Sequence, residues 1–240
     1  MTAMLRPVKY IVLLMMLFAL TGCLNPGSER AQNHVAYESD LSAVQRAVDA
    51  FKKDTGVLPI KNSTEKTPIY EKYPIDFDKL VGKYMGNPPE NAYEQGGIFL
   101  YVLVNAETDP TVKVLDLTLA NKVDEIQEKI NLFRMQHGFS PIKAIVDDGV
   151  FSINFRQIGY KKPPTVRSPY SGRPLGFVLD KNSKVYINYL PDIYDAVKKL
   201  DKTPPEGTDL RALLVKRSPY VPVDSLPYTL KKGEVVFMAK

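Results

Sequence analysis

The chain has 240 residues, of which 44% are hydrophobic and 25% charged, and its formal net charge is +5. Those proportions fit a globular protein with a sizeable core and exclude a disordered, collagen-like or polytopic membrane chain. Two His, one Cys and no Trp exclude a disulfide scaffold and a Cys-rich zinc module, and leave few residues for nucleophilic or metal chemistry.

Arg6 and Lys9 precede an unbroken apolar run of ten residues, Ile11 to Leu20. That run is too short to cross a hydrocarbon core of about 30 Å as a helix, but it suits the apolar region of a signal peptide. It ends in Leu20-Thr21-Gly22-Cys23, which resembles a bacterial lipobox. The resemblance implies transfer of diacylglycerol to the Cys23 thiol and cleavage before Cys23. Residues 1–22 are then a lipoprotein signal peptide, and residues 23–36 the lipidated Cys and a flexible tether. Two alternatives are an ordinary secretory signal with a chance Cys and an uncleaved membrane anchor; the polar flank Asn25-Pro26-Gly27-Ser28-Glu29-Arg30 begins too soon for the latter. The expected location is the extracytoplasmic face of the cell membrane. The expected partners are the membrane, reached through the lipid on Cys23, the lipoprotein-processing enzymes and an envelope protein. Loss of Arg6 and Lys9 lowers the charge from +5 to +3, with bases interspersed among acids as in Lys52-Lys53-Asp54. That pattern carries no nucleic-acid footprint.

Two segments match at an offset of 82 residues, Leu41–Lys61 and Val123–Lys143. Gln45/Gln127, Phe51/Phe133, Gly56/Gly138, Pro59/Pro141, Ile60/Ile142 and Lys61/Lys143 are identical pairs. Leu41, Val44, Val48 and Phe51 follow the spacing of one helix face, as do their counterparts. A Gly at the left-handed stop position follows each helix, and a Pro three residues on blocks re-entry. Further along, Pro88-Pro89, Asn91-Ala92-Tyr93 and Gly96-Gly97 parallel Pro163-Pro164, Ser168-Pro169-Tyr170 and Gly172/Gly176, and each group precedes a short strand. Arg167-Ser168-Pro169-Tyr170 recurs as Arg217-Ser218-Pro219-Tyr220. The predicted organisation is a first helix-plus-sheet module over 37–117, a second over 118–190 and a truncated third over 191–240. The fold class is α+β, with repeated amphipathic helices on small antiparallel sheets. So few repeats favour stacking over independent domains.

The order of helix, Gly stop, Pro, loop, Pro-Pro, Pro-aromatic turn and hairpin is similar to the soluble head of type II secretion major pseudopilins. Gln45, Gly56, Pro59 and Pro88-Pro89 carry the resemblance in the first copy. Gln127, Gly138, Pro141, Pro163-Pro164 and Ser168 to Pro174 carry it in the second. It covers most of residues 40–190. The apolar run ends in a lipobox and not a prepilin site, and Tyr170 stands where that family has Trp, so filament formation does not follow. The whole chain also resembles membrane lipoproteins of Bacillus-type bacteria, a similarity that supplies no activity.

No Gly-x-Ser-x-Gly, Walker A, Gly-x-Gly-x-x-Gly or His-Glu-x-x-His occurs. His34 falls in the tether. His137 ends a helix, where a cation complements the dipole. Asp76/Asp78 and Asp147/Asp148 have the chemistry for a hard cation, but turn and capping roles account for them, so no metal and no cofactor is expected. Glu125 and Glu128 fall on a solvated helix face. Tyr93, Tyr170 and Tyr220 occupy equivalent positions beside the turn, and two readings stand open: packing anchors, or an aromatic interaction surface. The expected function is that of a non-catalytic, lipid-anchored interaction or scaffold protein of the envelope. The alternative is a small solute-binding lipoprotein of a transport system.

Overall fold

The computed structural model describes residues 38–65 and 67–238, and over these the chain is α+β. The lipobox residues Leu20, Thr21, Gly22 and Cys23, the signal peptide and the tether lie outside them.

Helix α1, Glu38–Thr55, turns Val44, Ala47 and Val48 inward. Gly56 stops it at φ 75°, its N–H donating to Lys52 O at 2.9 Å. Helix α2, Leu117–His137, buries Val123, Ile126, Ile130 and Phe133 and stops at Gly138, φ 79°, whose N–H donates to Arg134 O. It begins six residues before the repeated segment, because Asp116 caps it by accepting the Thr118 N–H at 2.8 Å.

Between the helices, β1 (Phe99–Val104) and β2 (Thr111–Asp116) form an antiparallel hairpin. After α2 come β3 (Ile142–Asp147), β4 (Val150–Ile153), β5 (Val166–Arg167), β6 (Pro174–Leu175), β7 (Phe177–Asp180) and β8 (Val185–Ile187). Strands β3, β4, β7 and β8 make a four-stranded antiparallel sheet in the order β3-β4-β7-β8, and β5 pairs with β6. Asp148-Gly149 makes the β3–β4 turn, a hairpin signal of the kind Asp-Gly provides. The last segment holds two short helices, α3 (Leu190–Lys198) with Pro191 in its first turn and α4 (Arg211–Arg217), then the hairpin of β9 (Tyr228–Lys231) and β10 (Glu234–Phe237).

Two apolar clusters hold these elements. The smaller joins α1, Ile75, Phe77 and Leu80 to Phe99, Tyr101, Leu103, Val112 and Val114. The larger joins α2, the four-stranded sheet, α3, α4 and β9–β10, and it also takes Val102, Val104 and Leu115. Alternate residues of the β1–β2 hairpin thus enter different clusters, so the hairpin is a wall buried on both faces. This is the physical reason for the continuous apolar run Phe99-Leu100-Tyr101-Val102-Leu103-Val104. The last segment shares its core with the second helix-plus-sheet region. It also closes the free edge of β2: Val114 N–H donates to Pro219 O at 2.9 Å, and Val221 N–H donates to Val114 O at 3.0 Å.

The repeated Gln residues tie helix to strand. Gln45 Oε1 accepts the Val112 N–H at 2.8 Å, while Gln45 Nε2 donates to Pro110 O and to Asp49 four residues on. Gln127 Oε1 accepts the Val185 N–H at 2.8 Å, while Gln127 Nε2 donates to Ser183 O and to Asn131 four residues on. Each amide satisfies one backbone donor and one backbone acceptor at the start of the last strand in its region.

Candidate functional site

The three tyrosines do not form one exposed row. Tyr93, in a short 3-10 turn over Tyr93–Gln95, is 62% exposed. Tyr170 packs edge-on against the buried Tyr189, with ring centroids 5.9 Å apart, and its hydroxyl donates to Tyr220 O at 3.4 Å. Burial holds the Tyr170 phenol far above its usual range, followed by the charge of Asp192. Tyr220 is half-buried, its ring 5.8 Å from that of Phe99. The two Ser-Pro-Tyr turns share one device. Ser168 Oγ accepts the Tyr170 N–H at 3.0 Å, and Ser218 Oγ accepts the Tyr220 N–H at 3.2 Å. Ser168 is itself buried and donates to Asp192 at 2.7 Å.

His137 is exposed at the end of α2, its ring 4.2 Å from that of Phe133. Glu125 and Glu128 are exposed, and Glu125 binds Lys122 at 2.6 Å. Asp76 pairs with Lys79 at 3.1 Å, and Asp147 accepts the N–H groups of Asp148 and Phe237. Among the described residues, no group of three or more His, Cys, Asp or Glu is gathered to hold a metal ion.

Polar side chains converge elsewhere, in a cleft of about 810 Å³. Five stretches of chain line it: the loop around Tyr70 and Glu71, the β3–β4 turn, the β7–β8 turn, the segment from Asp209 to Pro227, and Met238. At its centre the Glu71 carboxylate accepts the Asp224 N–H at 3.1 Å, and Lys184 Nζ lies 3.7 Å from the Asp224 carboxylate. Burial pushes the Asp224 carboxyl up to about 6; the negative charge of Glu71 adds to the rise and Lys184 opposes it. Asp224 sits at φ 42°, a left-handed conformation that Asp tolerates better than most residues. Its carbonyl accepts the Ile187 N–H at 2.9 Å, which fixes the loop on β8.

One wall is aromatic and cationic. Tyr70 lies 5.2 Å from the Arg211 guanidinium, and its hydroxyl is pushed up to about 12 by burial and then by the charge of Asp209. Arg211 grips Asp209 through Nε and Nη2, the latter at 2.7 Å, and donates to Ser225 O at 2.8 Å. Opposite, the Lys184 ammonium stands 5.2 Å from the Tyr186 ring, and the Tyr186 hydroxyl donates to Asp180 at 3.5 Å. The arrangement offers carboxylates, cations and phenol rings to a polar ligand. Sequence spacing missed these residues because they come from three widely separated stretches of chain, around 70, 180 and 209–225. Asp224 beside Ser225, between Pro222 and Pro227, in a loop whose other residues are apolar, was the available signal.

Residues 37–116 match the YphF family N-terminal domain. The matched stretch holds α1, the loop bearing Tyr70 and Glu71, and the β1–β2 hairpin, and it stops at the Asp116 cap of α2. The other cleft walls come from outside it. No curated protein and no solved structure matches the chain.

Proposed function

We propose that this chain is a lipid-anchored extracytoplasmic protein of the cell envelope that works by binding, as an interaction or scaffold protein, and not by catalysis. The observation that supports anchoring is Cys23, the chain's one Cys, placed at the end of an apolar run in Leu20-Thr21-Gly22-Cys23. A diacylglycerol there contributes about 0.8 kcal/mol per buried CH₂, which holds a protein stably once two chains are present. Radioactive fatty acid fed to cells labels the wild-type protein and not Cys23→Ser; label retained in the variant overturns the anchor.

The binding reading draws support from the cleft. Its ionisable groups pair with one another, Arg211 with Asp209, Lys184 with Asp224 and Tyr186 with Asp180, which suits a prearranged polar surface. Crosslinking in living cells, followed by mass spectrometry of the purified protein, recovers an envelope partner that is lost in Glu71→Lys with Asp224→Lys. The same cleft favours the second reading, a small solute-binding lipoprotein of a transport system. Recovery of a low-molecular-weight ligand, with no protein partner, selects that reading. The finer likeness to the soluble head of type II secretion pseudopilins stands beside these as an architectural proposal, supported by the Gly-stopped helices and the following Pro-aromatic turns.

A further inference from the structure

The last turns of α2 and all of β3 expose apolar side chains in one continuous stretch of chain. Leu132 and Met135, three residues apart, share a helix face, and Met135 is 84% exposed. Phe139, Ile142, Ile145 and Val146 follow, Ile145 at 76%. Five of the six residues of β3 are exposed. Surface apolar residues are ordinary when scattered, but six within fifteen positions are not.

Within the stretch the charge has one sign, and exposed acids stand only at its ends, Glu128 one turn before Leu132 and Asp148 at the β3–β4 turn. From Lys129 to Val146 the chain contains the cationic Lys129, Arg134 and Lys143 and not one Asp or Glu. Arg134 and Lys143 are both exposed within the apolar stretch. The next acid, Asp147, is turned back onto the Asp148 and Phe237 N–H groups. Pairing of β3 with another strand is disfavoured by its own geometry. Register shifts fall between Ile142 and Ala144 and between Ile145 and Asp147, so the edge is bulged twice along six residues. Bulges of this kind block strand addition while leaving the side chains available.

We propose that residues 132–146 are a membrane-contact face: the apolar side chains enter the headgroup boundary of an anionic phospholipid bilayer, and Arg134 and Lys143 bind its phosphates. This rests on the reading that the folded part is held beside a membrane. The fifteen positions from Cys23 to Glu38 span at most about 50 Å of chain between the proposed lipid and the folded part.

The chain has no Trp, so a single introduced Trp reports its own surroundings. The full-length protein carrying Ile145→Trp is reconstituted on vesicles with phosphatidylglycerol and on neutral phosphatidylcholine vesicles. Val57→Trp, exposed beyond the end of α1, serves as the control. The expected result is a blue shift of the Ile145→Trp emission, with quenching by brominated lipid, on the anionic vesicles alone. Adding Arg134→Glu and Lys143→Glu, both at exposed positions, abolishes the shift. An unshifted Ile145→Trp, an equal shift on neutral vesicles, or an equal shift for Val57→Trp overturns the proposal. A shift that needs no vesicles and grows with protein concentration also overturns it, and points to a second copy as the cover. Shift and quenching with Cys23 found unlipidated leave the contact face standing and remove only the lipid anchor.

Discussion

The region of α1 and β1–β2 and the region of α2 and the four-stranded sheet make the same bonds in different surroundings. In the second, β3 pairs with β4 from Ile142 opposite Ile153, β4 with β7, and β7 with β8, whose start is held by Gln127. In the first, Ile60 bridges Ile75, Pro74 bridges Val102 of β1, and β1 pairs with β2, whose start is held by Gln45. The order is common to both, but β3 and β4 have only single bridges as counterparts. The hairpin of the first region is covered on both faces, whereas the first strand of the second is bare. The comparison teaches that a short module can keep its hydrogen-bond plan while burial is set by what lies next to it.

The largest expected effect breaks the comparison at the turn tyrosines. Tyr170→Ala removes a ring packed on Tyr189 and costs about 3–5 kcal/mol in urea denaturation, while Tyr93→Ala stays within about 0.5 kcal/mol. Equal losses would restore the equivalence that the sequence suggests.

The glycines before the hairpins come next. A Cβ on Gly97 would lie 2.1 Å from the Asn91 carbonyl, so backbone must move. Gly97→Ala costs about 3 kcal/mol, whereas Gly176→Ala, with nothing within 4 Å, is close to neutral in thermal melts.

The Gln pair sharpens the likeness. Gln45→Ala and Gln127→Ala each strand a strand N–H and a carbonyl and cost about 2 kcal/mol by denaturation. Hydrogen exchange then reports loosening at Val112 in the first variant and at Val185 in the second. A loss confined to one variant makes the shared bonding a coincidence of geometry.

Asp224 tests the cleft where the matched N-terminal stretch meets the rest. Its carboxyl is raised to about 6, so the folded protein binds the proton more tightly than the unfolded chain. That contribution is fully present below about pH 4 and is lost as pH rises through about 6. Asp224→Asn therefore gains about 2 kcal/mol at pH 8 relative to wild type and nothing at pH 4, as denaturation at the two pH values measures. A gain independent of pH would assign the effect to the strained loop and not to its charge.

Much of the fold was legible because its signals are local. Gly56 and Gly138 stop their helices where the sequence placed them, since a left-handed residue is needed there and Gly supplies it. The apolar faces of α1 and α2 follow from periodicity, and the strands beginning at 99 and 177 from short apolar runs after turn residues. The pairing of Gln45 with Gln127 was visible as an identity, though not as a bond to a strand more than fifty residues away. The cleft was not legible, because Glu71 and Asp224 are brought together across 153 positions.

By itself, then, the sequence determined the two long helices, their glycine stops and the internal likeness of two segments, because each depends on the dihedral preferences and apolar spacing of neighbouring residues. Only the tertiary structure decided which face each element shows. It packed half-buried Tyr170 against Tyr189 and exposed Tyr93, walled two cores with one hairpin, and left β3 uncovered, because burial depends on the packing of distant parts of the chain.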